Sequence, residues 1–442
     1  MRLTIETIES SAKLPQAADV VVIGGGIIGV CTALFLARSG VSVALFEKGM
    51  VAGEQSSRNW GFCRQQGRDL AEVPLIKHSI NLWHQMDQLV EATVGFHQAG
   101  VMYLADTAQL KQEYEQWYEE TKSYDIGSTL IDSAKIAKLF PGLKHEWLSA
   151  LYTHGDGRAE PFLAAPRIAV AAQKAGATVH QNCAVRGIET SAGRISAVVT
   201  ESGVVNTSRV VLAGGAWSEL FCRSIGLKLP QLSVRSSVLR TEKLDSVGDV
   251  ALWAPGFATR RRQDGGYTIA NGSMSVASIT TDYIRYLGYF LSAYKTERKT
   301  LRLEIGQRLV ESLLRSAKWP LDGISPFERC RILDPDPDKD ILISALGKIK
   351  EHIPAMKDIS VAESWAGYID VTPDAIPVIS SVPQQKGFFV ATGFSGHGFG
   401  IGPGAGQLMA ELVTERDTCV DPKPFRYGRY FDGTYKPISS GL

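Results

Sequence analysis

DVVVIGGGIIGV, residues 19–30, decides the fold of this chain. DVVVI (19–23) is a continuous run of β-branched residues, the pattern of a parallel strand buried on both faces, and it stops at Gly24. The next segment, IIGVCTALFLARSG (27–40), keeps apolar or small residues on most faces and closes at Gly40, which predicts a helix. VSVALFE (41–47) then predicts a second strand. Together these make a βαβ unit whose turn reads Gly24-x-Gly26-x-x-Gly29. Glycine there permits a tight turn, close approach of a pyrophosphate and close packing of helix on strand, while Ile27 and Ile28 open the helix. Glu47 ends the second strand, where a carboxylate can accept hydrogen bonds from an adenosine ribose. The unit predicts dinucleotide binding, and leaves FAD and NAD open because both present the same ADP half.

Composition frames this reading. At 442 residues, with 44% hydrophobic and 21% charged residues, the chain can bury a large core in two or three domains. Lys+Arg at 47 against Asp+Glu at 46 leaves a formal charge of +1, which recommends no nucleic-acid partner. The six cysteines are scattered without a C-x-x-C pair or metal-ligand spacing, so a reducing compartment and no metal are expected. The opening residues carry two glutamates and no apolar h-region, and no apolar run reaches the roughly 18 residues a span requires. A cytoplasmic protein without a transmembrane segment is the expectation.

Three later segments narrow the cofactor. AVRGIETSAGRISAVVTESGVVNTSRVVLAGGAWSELF (184–221) alternates like short strands before a buried run, VVLAGG, and a helix. WAGYIDVTPDAIPVI (365–379) and GFSGHGFGIGPGAG (393–406) follow near the end. With the βαβ unit they resemble the D-amino-acid oxidase / glycine oxidase / sarcosine oxidase family of FAD enzymes, over roughly residues 19–420. The resemblance implies an α/β fold: a Rossmann-like FAD-binding domain of the two-dinucleotide-binding-domain type, interleaved with an antiparallel-sheet substrate domain. The first would take 19–85, 160–225 and 362–425, the second 86–159 and 226–361. Cofactor contacts are then expected from Gly24, Gly26, Ile27, Ile28, Gly29, Glu47 and Lys48, and from the following stretch Ser56, Ser57, Arg58, Asn59, Trp60 and Gly61. Val185, Ala213, Gly214 and Trp217 would add the second signature, and Gly367, Gly393, Gly396, His397, Gly398, Phe399, Gly400 and Ile401 the end of the chain. The late glycine loop precedes a helix expected from about Pro403, with Leu408 and Leu412 on one face. Its N-terminal amides and dipole suit the negative charge of a reduced isoalloxazine, as the first loop suits the pyrophosphate. Two loops at opposite ends therefore argue for one long cofactor, FAD.

Such an enzyme would oxidise the C–N bond of an amino acid or secondary amine (a D-amino acid, an N-alkyl amino acid or an opine-like amine) by hydride transfer to flavin N5, giving an imine that hydrolyses. The other reading is a flavin-binding subunit of a hetero-oligomeric dehydrogenase, acting mainly in electron relay. His397, inside the late loop, Arg64 and Asn271 are the candidate active-site residues. Here the sequence departs from the family. Glycine oxidase and D-amino-acid oxidase types carry an arginine two residues after the glycine of W-x-G, where Gly367 is followed by Tyr368 and Ile369. Sarcosine oxidase types place a lysine just after G-H-G-F, where Gly400 stands, and a flavin-linking cysteine where Gly367 stands. Non-covalent FAD is expected. The stretch SSRNWGFCRQQGRDL (56–70) supplies Arg58, Arg64 and Arg68, and Arg64 is the candidate for the substrate carboxylate. In GYTIANG (266–272), Thr268 replaces the oxygen-activating lysine, which leans toward an acceptor other than oxygen.

Residues 231–242, 256–263 and 266–274 read as strands of the second domain, with Asp264-Gly265-Gly266 as a hairpin turn. Residues 283–319 read as two amphipathic helices carrying eight Lys/Arg and three Glu. A solvated face over an apolar stripe is expected there, with docking to a membrane surface or a partner subunit as the alternative. The triplet Arg260-Arg261-Arg262 is likewise expected on a solvated face.

Overall fold

The computed structural model describes residues 4–144 and 147–436. Val20–Ile23 is fully buried and lies between two parallel neighbours, Val43–Phe46 and Val210–Leu212. The sheet extends through Thr178–His180 on one side and through Phe388–Thr392 and Val378–Ser381 on the other, six strands in all. The last pair is antiparallel. Ile27–Arg38 forms the expected helix, and it packs with Val73–Val90, Pro161–Lys174 and Gly398–Val413 into one apolar core. Residues such as Phe221, Phe327 and Phe388 fill a second core, and the three-stranded sheet Val185–Ser191, Arg194–Thr200 and Gly203–Asn206 contributes to it. A parallel sheet needs both faces covered, which is why the strands at its centre read as uninterrupted Val, Ile and Leu.

A second sheet of ten strands gathers Val101–Ala105, Ser128–Asp132 and Ser149–Thr153 with the strands of residues 232–304. The expected strands appear as Leu232–Thr241, Phe257–Arg261 and Tyr267–Ala270, the last two antiparallel across the turn at Asp264. Val361–Val371 also belongs here, paired antiparallel along Leu232–Thr241 with Gly367 opposite Ser236. The chain thus crosses between the two sheets just after Val371, rather than at 362.

Three local expectations change. The late helix runs Gly398–Val413, five residues ahead of Pro403, which sits inside it. Between residues 281 and 314 the helices Thr281–Arg285, Leu287–Glu297 and Gln307–Leu314 enclose a strand, Leu301–Glu304, that extends the ten-stranded sheet. Two of the three arginines in the triplet, Arg260 and Arg262, are not solvated. Arg260 is 1% exposed, pairing with Glu160 at 2.7 Å and donating to the Trp60 carbonyl, and Arg262 is buried against Asp264. A buried guanidinium is tolerated because each of these finds a carboxylate, a pairing that residue spacing does not encode.

Candidate active site

One cavity of about 890 Å³ runs from the first glycine loop, past Lys48 and Trp217, to His397 and the underside of residues 283–303. At one end Gly24 holds φ +110°, and a Cβ there would lie 2.3 Å from the Ala213 carbonyl oxygen. A Cβ on Gly29 would meet the Gly24 carbonyl oxygen at 1.9 Å, so this glycine seats the helix on the turn. Gly26 differs: its Cβ would meet only Ser56 Oγ, at 3.1 Å. The helix that starts at Ile27 has no side-chain cap on Gly26 and no acidic residue in its first turn, leaving a positive terminus for an anion. Ser56 Oγ accepts from the Ile27 amide at 2.8 Å. The Glu47 carboxylate accepts from the amides of Gly25 and Gly49, both at 2.7 Å, and keeps further lone pairs for a ribose. This chemistry fits the ADP half of FAD.

Of the residues expected from sequence, Gly24, Gly26, Ile27, Ile28, Glu47, Lys48, Ser56, Arg58, Asn59 and Trp60 line the cavity. So do Val185, Ala213, Gly214 and Trp217, and at the far end Gly367, Gly396, His397, Gly398, Phe399, Arg64 and Asn271. Gly29, Ser57, Gly61, Gly393, Gly400 and Ile401 stand behind the wall. Gly400, for example, packs on Phe62 and Cys63 while its carbonyl accepts from Ser79 Oγ and Trp83 Nε1, both at 2.8 Å. Lys48 spends its ammonium on Glu54 and the carbonyls of Cys330 and Arg331, and it lies 4.5 Å from the Trp217 ring. It props the wall. Gly367 makes room for Arg58, whose Cβ would be 3.1 Å from a Cβ at 367. Thr268 does not line the cavity; its Oγ1 accepts from Arg262.

The late loop is held by remote carboxylates. Asp370 Oδ2 accepts from the Gly393 amide at 2.6 Å and Thr392 Oγ1 at 2.9 Å, and burial raises its pKa. His397 Nδ1 lies 2.9 Å from Glu72 Oε2. Burial, helped by Arg68, lowers the His397 pKa to about 4, so the ring is neutral at pH 7. A neutral ring donates its Nδ1 proton to Glu72, which leaves Nε2 as the acceptor nitrogen. Against the upward push of burial, His397 and Arg68 hold the Glu72 carboxyl below its ordinary value.

Five cations line the cavity. Lys48 pairs with Glu54, Arg58 with Asp334 at 2.5 Å, and Arg331 with Glu201. Among the described residues no carboxylate lies within ion-pair distance of Arg64 or Arg68. Arg64 is 6% exposed, stacked 4.8 Å from the Trp253 ring and 5.4 Å from that of Tyr103, with Nη1 on the carbonyls of Gln66 and Gly67. Asn271 Oδ1 accepts from the amides of Ser273 and Met274, so it shapes the turn that forms this part of the wall. Sequence reasoning missed Glu72 and Trp253. Neither sits in a motif; each reaches the site only through tertiary packing.

Known proteins share this architecture. The L-amino acid deaminase of Proteus myxofaciens, solved in complex with anthranilate, superposes with a TM-score of 0.93 at 31% identity, covering 97% of this chain and 96% of that one. The L-proline dehydrogenase of P. horikoshii gives a TM-score of 0.78 at 25% identity, covering 95% and 99%. The mitochondrial dimethylglycine dehydrogenase of Mus musculus is 25% identical over 437 residues, 97% of this chain and 46% of its own length. The chain thus spans about half of that relative, whereas it matches 98% of the Pseudomonas putida glycine oxidase, at 25% identity over 93% of this chain. A family model described as FAD dependent oxidoreductase, DAO, matches residues 19–412, and the chain belongs to that family of FAD-dependent oxidoreductases.

Proposed function

We propose that the chain oxidises the C–N bond of an α-amino acid, with Arg64 holding the substrate carboxylate. The observation that carries this reading is a buried guanidinium on the cavity wall, stacked by Trp253 and Tyr103, with no carboxylate of its own. A buried cation in that state calls for an anion, and the planar guanidinium fork suits a carboxylate. FAD, when bound, accepts the two electrons removed from the C–N bond. The protein supplies placement: Arg64 fixes one end of the substrate, the apolar wall of Trp60, Phe62, Trp253 and Ile369 excludes water, and the His397 ring offers an acceptor to an amine N–H. Likeness to an L-amino acid deaminase at 31% identity supports the L series over a D-amino acid or an opine. The test is anaerobic bleaching of the purified yellow protein by L- and D-amino acids, N-methyl amino acids and opines. Bleaching confined to amines without a carboxylate overturns the reading. Arg64→Ala is expected to raise KM for the best amino acid, losing about 3–5 kcal/mol in kcat/KM at unchanged flavin content.

FAD is bound without a covalent link in this reading. No cysteine lines the cavity among the described residues, so acid precipitation is expected to release the flavin into the supernatant. Colour retained in the pellet overturns that.

A second observation concerns assembly. Ile305, Val310, Leu313 and Leu314 are exposed away from the cavity, and Ile284, Leu287, Leu291, Tyr294 and Leu303 are exposed where the same segment lines it, alongside eight Lys/Arg and three Glu in residues 283–319. A solvated face does not carry that much apolar surface. The local positive excess complements an anionic lipid surface, and docking there is the reading we adopt over a partner subunit. No helix among the described residues is long and apolar enough to cross a membrane. The six unpaired cysteines favour the cytoplasmic face. Flotation of the holoenzyme with phosphatidylglycerol vesicles, abolished by Leu313→Asp and Leu314→Asp together, is expected. Failure to float, with light scattering that reports a dimer dissolved by the same changes, assigns the face to self-association instead.

A further inference from the structure

Arg68 is the other cation of the wall without an ion pair, and it is 3% exposed. Its Nε donates to the Arg64 carbonyl oxygen at 3.3 Å, and its Nη1 is buried without any partner. Burial, and then the neighbouring Arg64, push its pKa down to about 10. The carboxylate nearest in charge, Glu72, gives Oε2 to His397, and its Oε1, buried without a hydrogen-bond partner, forms no ion pair with Arg68. The Tyr103 hydroxyl, on the ring that stacks against Arg64, is also buried without a partner. An unsatisfied donor on a buried guanidinium is costly, and a second guanidinium beside it makes the site more so. One anion placed between the two relieves both.

We infer that Arg68 is a second anion-binding residue of the cavity and shares with Arg64 the single carboxylate of the substrate. This rests on the carboxylate reading above and adds to it a residue that acts by direct contact. The two arginines come from one short stretch, residues 64–68, so the pair is preformed rather than assembled on binding.

The test uses the holoenzyme and two probes of like shape, benzoate and benzamide, titrated against the visible flavin band. Arg68→Met is expected to weaken benzoate by about 30-fold, the scale of one lost buried charge-assisted contact, and to leave benzamide unchanged. Arg68→Lys, which keeps the charge without the fork, is expected to recover part of the loss. Because both arginines hold one group, the Arg64→Met/Arg68→Met double variant is expected to lose less than the product of the single losses. If Arg68→Met leaves benzoate unchanged while Arg64→Met weakens it, Arg68 is not an anchor and Arg64 alone stands. Should neither variant respond, or should the unmutated protein show no saturable response to benzoate, both readings fall. If Arg68→Met yields no yellow protein, Arg68→Lys decides, and benzoate affinity equal to that of the unmutated protein overturns the inference.

Discussion

The two glycine-rich regions at the ends of the chain look alike in sequence and are built by different physics. At 24–29 the glycines make the turn themselves: Gly24 takes φ +110°, and Gly29 lets the helix sit against the Gly24 carbonyl. At 393–406 only Gly393 and Gly396 hold positive φ, and Ser395 between them does too, at +51°. That non-glycine residue in a left-handed conformation shows a loop fixed from outside, by Asp370 on the Gly393 amide and by Glu72 on His397. The remaining glycines serve packing. A Cβ on Gly402 would lie 2.8 Å from Ile27 Cγ1, one on Gly404 3.0 Å from the Leu75 carbonyl, and one on Gly406 2.4 Å from Cys31 Cβ. The late helix is glycine-rich because it must lie close against the first helix and against Val73–Val90. In this way the second loop is tied to the first, and the two ends of one cavity are held by a shared helix contact.

The largest effect that tests this difference belongs to Gly29→Val. With 1.9 Å between its Cβ and the Gly24 oxygen, the βαβ unit cannot close, and no soluble folded protein is expected by circular dichroism. A folded yellow variant would mean that the first turn is not self-built. Gly26→Val sharpens the same point at lower cost. Its Cβ meets only Ser56 Oγ and otherwise points into the cavity, so a cooperative thermal transition is expected without any flavin absorbance. If the variant binds FAD normally, this loop does not hold the pyrophosphate.

The second loop is expected to yield to a change far away in sequence. Asp370→Asn removes the charge behind the Gly393 contact and is expected to cost about 1.5 kcal/mol of stability, read from chemical denaturation of holo and apo protein. Equal stability for mutant and parent would return the loop to local control. A pH effect follows from His397. Its folded pKa, about 4, lies below the unfolded value near 6.5, so between those values the unfolded chain binds the proton more readily. Its contribution is complete above about pH 6.5 and is lost as pH falls toward 4. Burial sets that shift; of the charged groups that face the ring, Arg68 and Arg64 add to it and Glu72 opposes it. His397→Asn is expected to flatten this limb, and an unchanged profile excludes the histidine as its source. Least affected is the exposed segment. Leu314→Ser, at 82% exposure, is expected to change stability by less than about 0.5 kcal/mol, so any larger loss means the face is covered in the isolated protein.

Much of the architecture was legible in the chain itself. DVVVI, the Gly24–Gly29 turn and Glu47 each predict their own geometry, because strand, turn and helix signals there are local and agree with one another. The hairpin at Asp264 and the strands around it are of the same kind. Less legible was the late helix, where a proline at 403 and five glycines argue against helix from residue 398, and tertiary packing overrides them. Arg260 carried no local sign of burial, since its partner Glu160 lies a hundred residues away.

By itself, then, the sequence determined the nucleotide-binding unit and the family, because backbone conformations that only glycine or β-branched residues favour are written residue by residue. Tertiary structure decided the chemistry of the cavity wall. Which arginines are already neutralised, which nitrogen of His397 is committed, and which apolar side chains are left uncovered all depend on partners from distant segments. Charge balance in a buried site is a property of all the groups that meet there, and no single stretch of sequence contains them.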